Sequence, residues 1–91
     1  MRFEWTETKR RSNIEKHGID FVDAFRLFDG QYSVFRSDRE GEQRFGAVGL
    51  VHGRVVTVIY HDRGDARRII SARRARTDEE KSYNQSINPE A

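Results

Sequence analysis

Apolar residues along this 91-residue chain recur at two spacings, one helical and one strand-like. Arg2-Phe3-Glu4-Trp5 alternates and predicts a short strand. Thr6 is placed to cap a helix running to about His17, with Glu7 in its first turn and Gly18 ending it. Ile14 is the only sizeable apolar residue between Glu7 and His17, so this helix cannot bury a broad face. Its spacing gathers Lys9, Asn13, Lys16 and His17 on one side, at i, i+4, i+7 and i+8. Two readings follow: a surface helix held by pairs such as Glu7–Arg11, or a basic side turned toward a ligand. Asp20 caps a second predicted helix, where Phe21, Ala24, Phe25 and Phe28 fall at i, i+3, i+4 and i+7. That stripe faces a core, and burying each Phe contributes about 1.5–3 kcal/mol. Gly30 stops the helix.

Beyond Gly30 the pattern becomes a meander. Strands are predicted over Gln31–Arg36, Glu42–Val51, Arg54–His61 and Ala66–Arg74. Polar turns separate them at 37–41 and 62–65, and His52-Gly53 makes a tight hairpin loop. Gly46 and Gly49 permit a bulge or a close backbone approach. Val55 through Tyr60 is almost continuously apolar, as a central strand would be. Thr77 with Glu80 reads as a capping box opening a short C-terminal helix that carries Tyr83, and Pro89 onward is expected to fray. The chain is therefore expected to form a single small domain over residues 1–91, with the six Phe residues nucleating one core.

Composition narrows the chemistry. No cysteine is present, which removes disulfides and thiolate metal sites. No apolar run is long enough to span a membrane, and Met1-Arg2-Phe3-Glu4-Trp5 lacks the apolar stretch of a signal peptide, so the cytoplasm is the expected compartment. Three histidines (His17, His52, His61) and scattered carboxylates form no metal-ligand pattern, and no Gly-rich phosphate loop follows a strand. No metal or other cofactor is expected.

Charge changes the picture most. The net charge is only +2, yet residues 63–76 hold six arginines against one aspartate. Residues 1–62 balance at ten basic and ten acidic side chains. Ile69, Ile70 and Ala72 embed the arginines in a strand, and a basic stripe fixed on a sheet is a nucleic-acid footprint. The bland reading is a solvated charge run that keeps a strand edge from aggregating. RNA cleavage is within reach of these residue types, because the 2′-hydroxyl is an internal nucleophile already beside the phosphate. Arg44, Arg63, Arg68 and Arg73 are candidate phosphate clamps. Glu42, His17, His61 and Tyr60 are candidate proton carriers. Glu42 and Arg44, two apart on a strand, point the same way. A catalytically silent RNA- or ribosome-binding module, or a basic face docking an acidic partner, uses the same residues.

Phe3-Glu4-Trp5 with Lys9, the run Asn13, Lys16-His17-Gly18-Ile19, Phe21 and Ala24, the pair Glu42 and Arg44, and Arg68-Ile69-Ile70-Ser71-Ala72-Arg73-Arg74-Ala75 together resemble the BrnT family of bacterial type II toxins, over about residues 2–83. Thr6 stands where an aspartate is common after the tryptophan. The resemblance implies a RelE-like α+β fold: an antiparallel four- to five-stranded sheet, two N-terminal helices packed on it and a short C-terminal helix. It also implies a metal-independent endoribonuclease that arrests translation and growth. Its partner would be a BrnA-type ribbon-helix-helix antitoxin, through which alone it would reach operator DNA. Carried onto this chain, the expected catalytic residues are His17, Glu42, Arg44, Arg68 and Arg73, with Ser71 beside them. Lys9, Lys16, Arg63 and Arg74 are the expected RNA phosphate-binding residues.

Overall fold

The computed structural model describes residues 1–88. The expectation for Pro89 onward lies outside the described residues. Five strands form one sheet: β1 (Arg2–Glu4), β2 (Tyr32–Arg36), β3 (Phe45–Val51), β4 (Arg54–Arg63) and β5 (Ala66–Arg74), in the order β1-β5-β4-β3-β2. The last four run antiparallel to their neighbours, but β1 lies parallel to β5, pairing Arg2 with Ala66 and Glu4 with Arg68. The sheet is therefore mixed, which corrects the antiparallel expectation. Alternation along a short strand fixes which side chains share a face and carries no information on direction. His52 (φ 50°) and Gly53 (φ 76°) make the hairpin loop between β3 and β4, both in the left-handed region a two-residue I′ turn requires. Glu40 (φ 50°) and Gly41 (φ 79°) repeat that geometry inside the turn after β2, where Arg39 and Glu42 form an isolated bridge. Glu42 and Arg44 thus sit on this arm, just ahead of β3, rather than within a strand.

One sheet face is apolar. Ala47, Val51, Val56, Val58, Tyr60, Ile69 and Ala72 form it, and Phe21, Ala24 and Leu27 cover it. The covering segment is not the second full helix expected: α2 (Phe21–Ala24) has four residues, and the chain then tightens into a 3-10 turn over Phe25–Asp29. Tighter winding rotates Leu27 inward, to 1% exposure, in place of Phe25. Phe25 instead packs beside Phe3 and Trp5, with ring centroids 5.4 and 6.2 Å away. Phe35 departs from the common core altogether. Its register with Gly46, Ile59 and Ser71 puts it on the other face of the sheet.

The polar helix α1 (Glu7–His17) begins and ends as its sequence predicts, with Thr6 accepting from Lys9 N and Gly18 in the left-handed conformation. Glu7 pairs with Arg10 (2.9 Å), not Arg11. Asp20 grips the same Arg10 through two bonds of 2.8 Å, and that guanidinium holds the Asp20 carboxyl below its ordinary range. What fixes α1 to the sheet is a side-chain amide. β1 stops at Glu4, leaving the β5 edge beyond Arg68 without a strand beside it. There the buried Asn13 accepts from Ala72 N (3.0 Å) and donates to Ala72 O (2.8 Å) and Ile19 O (2.9 Å). Asn13 stands in for the missing strand, and so satisfies backbone groups that burial would otherwise penalise.

Helix α3 (Thr77–Ile87) lies against the second face. Its cap is one residue earlier than Thr77 and Glu80 suggest: Arg76 is the cap, and Glu79 accepts from its backbone N–H (2.9 Å). Tyr83 is the buried anchor farther along.

Asn13→Ala is expected to cost about 2–4 kcal/mol, because it orphans the N–H and C=O of Ala72 and the carbonyl of Ile19 at once. Urea unfolding measures this. A loss below about 1 kcal/mol would mean that α1 is held by something else.

Candidate phosphate-binding site

The second face is shaped by one irregularity. Ile59 pairs with Ser71 but Tyr60 pairs with Ile69, so Ile70 is an extra residue in β5. Of the two alternatives that Gly46 and Gly49 permit, a bulge or a close approach, the structure shows the close approach, to Phe35 and Leu27, and places the bulge in β5. The bulge inverts side-chain parity. In a regular strand Arg68 and Arg73, five apart, would face opposite sides. With Ile70 inserted, Arg68 opposes His61 and Arg73 opposes Thr57, two positions of equal parity on β4. Both arginines therefore share a face.

Ile70 and Ser71 border two adjoining concavities. One is rimmed by Arg39, Arg44, Arg73 and Arg76 over a floor that includes Phe35 and Ile59. The other lies along α1 and is lined by Lys9, Ser12, Lys16 and His17. Because they meet at the bulge, the helix cations and the sheet cations form one path.

Carboxylates organise the arginines. Glu42 accepts from Arg44 Nε (2.7 Å) through one oxygen and from Arg68 Nη2 (2.9 Å) through the other. The Arg44 bond holds the Glu42 carboxyl below its ordinary value, with attraction from His61, Arg44 and Arg68 adding to the effect. Arg68 Nε is buried without an acceptor, so Arg68 makes one of the two bonds a forked pair offers. His61 Nδ1 lies 2.6 Å from Gln43 O, an acceptor-only group, so Nδ1–H donates and Nε2 is the free nitrogen. Arg73 is gripped at both ends of Glu79, at 2.8 and 2.9 Å, and Thr57 donates to the same carboxylate (2.9 Å). The Arg73 bond is the main cause of a Glu79 pKa near 2.

Of the expected site residues, Glu42, Arg44, Arg68 and Arg73 come together on this face, and Lys9, Lys16 and His17 flank it across the bulge. Arg63 and Arg74 do not join them. Arg63 approaches Glu4 (3.8 Å) beside β1. Arg74 opposes Val56 and lines a groove on the other side with Asp20, His52 and Arg54. Arg67 also faces that side, stacked 4.2 Å over Tyr60 and 4.9 Å over Phe28 and paired with Asp62 (2.8 Å). Arg39, Arg76 and Phe35 were missed. The Glu40-Gly41 turn is the signal that brings Arg39 back, while the placement of Arg76 depends on where α3 docks.

Such an arrangement suits a polyanion: converging guanidiniums, a lysine path and adjacent groups able to move protons. Among the described residues no three His, Cys, Asp or Glu side chains converge as metal ligands, and no helix is long and apolar enough to cross a membrane. Fold and site define a small α+β protein with a cationic, concave sheet face. Residues 5–79 match the family model described as the ribonuclease toxin BrnT of type II toxin–antitoxin systems, and the chain belongs to that family. No curated relative matches the chain. Membership makes it a ribonuclease toxin whose counterparts are an antitoxin and RNA.

Glu79→Gln should expose what the buried pair contributes. The Glu79 carboxyl titrates near 2 in the fold against 4.5 when free, so the unfolded chain binds the extra proton between those values. Its contribution, on the order of 3 kcal/mol, is complete above pH ~4.5 and lost as pH falls toward 2. Urea midpoints of both proteins should differ at pH 6 and converge by about pH 2. A constant gap across that range would exclude this titration.

Proposed function

We propose that this chain is a metal-independent endoribonuclease that inhibits translation and growth, acting in the cytoplasm and held in check by a BrnA-type ribbon-helix-helix antitoxin. Operator DNA would be reached only through that antitoxin. The observation that carries the reading is the convergence of Arg44 and Arg73 on one concavity, with Glu42 bonded to Arg44 and Arg68 at its border.

In this mechanism the scissile phosphate sits among the guanidiniums. They offset the charge that builds on phosphorus when the neighbouring 2′-oxygen attacks. The 5′-oxygen leaves as the bond to phosphorus breaks, giving a 2′,3′-cyclic phosphate and a 5′-hydroxyl. Glu42 takes the 2′-proton. Its resting carboxylate is a weak base because Arg44 and Arg68 donate to it. A phosphate that draws those donors away strips their bonds from Glu42 and raises its basicity as substrate arrives. His17, across Ile70 and Ser71, delivers a proton to the leaving oxygen, and Lys9 and Lys16 hold flanking phosphates.

Purified protein incubated with RNA in excess EDTA should cleave it and leave cyclic phosphate ends. Intact RNA under those conditions would favour a non-catalytic binder, or action requiring the ribosome. Arg44→Ala is expected to slow cleavage about 10²–10³-fold and relieve growth arrest while the fold persists by circular dichroism. Glu42→Gln should lower kcat without raising KM, since the arginines remain available to phosphate. A Glu42→Gln enzyme of full kcat would remove Glu42 from proton transfer.

A further inference from the structure

Phe35 is an aromatic residue that the core leaves unused. The other five Phe side chains belong to the helix-covered face, in the core or stacked on its margin. Among the described residues Phe35 takes part in no aromatic pair and no cation–π contact; even the guanidinium of its neighbour Arg36 lies over Phe45. Its ring crosses onto β3 at Gly46, where an added Cβ would overlap Cζ, Cε1 and Cε2. The strand is regular there and Gly46 has no positive φ, so the glycine serves clearance and not a turn. This close approach lays the ring along the row Phe35, Gly46, Ile59, Ser71, which ends at the bulge. Around it stand Arg39, Arg44, Arg73 and Arg76. A half-buried apolar ring inside a cationic concavity has an evident ligand counterpart, since an unpaired base presents a π-face next to a phosphate.

We propose that Phe35 is the stacking platform for the nucleobase adjoining the bound phosphate, which makes single-stranded RNA the substrate class. A base held in a duplex keeps both faces stacked on its neighbours and cannot lie on the ring. This inference rests on the ribonuclease reading of the arginine concavity.

The test is binding of a short single-stranded oligonucleotide, fully 2′-O-methylated so that it cannot be cleaved, carrying 2-aminopurine at successive positions. Unaltered protein should quench the fluorophore strongly at one position. Phe35→Leu keeps an apolar side chain over Gly46; it should bind about 5- to 150-fold more weakly, in line with about 1–3 kcal/mol per stacked base, and quench little at saturation. Phe35→Trp should restore the quench, and its new indole emission should itself fall when unlabelled oligonucleotide binds. That readout serves even if Phe35→Leu folds poorly. Binding by the unaltered protein without quenching at any position, or equal quenching by Phe35→Leu, would overturn the stacking role and leave the ribonuclease reading standing. No binding at all by the unaltered protein would remove that reading, and the stacking role with it.

Discussion

A single inserted residue in β5 decides what this sheet can present. Two arginines five positions apart belong on opposite faces of a regular strand, and Ile70 brings Arg68 and Arg73 to the same one. The same insertion keeps Ile69 and Ala72 together on the apolar side, where both are fully buried. Without it the strand would have to turn either an arginine into the core or a core residue out to solvent. The bulge thus resolves a conflict between packing and charge within nine residues of sequence.

Two carboxylates then make the cationic face compatible with folding. Like charges crowded on adjacent strands repel, and partial burial raises that cost. Glu42 reaches Arg44 and Arg68 from the arm before β3, and Glu79 reaches Arg73 from the start of α3. Each acid also joins separate elements: Glu79 alone connects α3 to Thr57 on β4 and Arg73 on β5. On the flank, Asn13 performs the corresponding task for backbone polarity, tying α1 to Ala72 just past the bulge. Site and scaffold are consequently the same set of bonds.

Much of this was legible in the sequence. Gly18, Asp20 and His52-Gly53 mark helix ends and a hairpin through local rules that tertiary context did not override. The bounds of β5 were readable, though not its bulge, and Arg68, Arg73, Glu42 and Arg44, singled out together, do meet on one face. The parallel pairing of β1 was not, because three alternating residues look the same in either direction. The stripe from Phe21 to Phe28 fits an α-helix so well that the switch to 3-10 winding stayed hidden. Arg63 and Arg74 stand apart for different reasons: Arg74 directly follows Arg73 and so takes the opposite face, whereas Arg63 shares the parity of His61 but sits at the far end of β4 beside Glu4. Asn13 read as one more polar residue on a polar helix, since its partner lies 59 positions away.

The built-in pairing of arginine with glutamate bears on how tightly the face holds any polyanion. A guanidinium in open solvent meets a phosphate by displacing small ions, and each such contact steepens the dependence of affinity on salt. Here Arg44, Arg68 and Arg73 already carry tethered counter-anions. Exchange of a tethered carboxylate for a phosphate releases the cation held by that phosphate but leaves an acid that takes one up, so the ionic-strength slope for RNA should fall short of the number of cations lining the path.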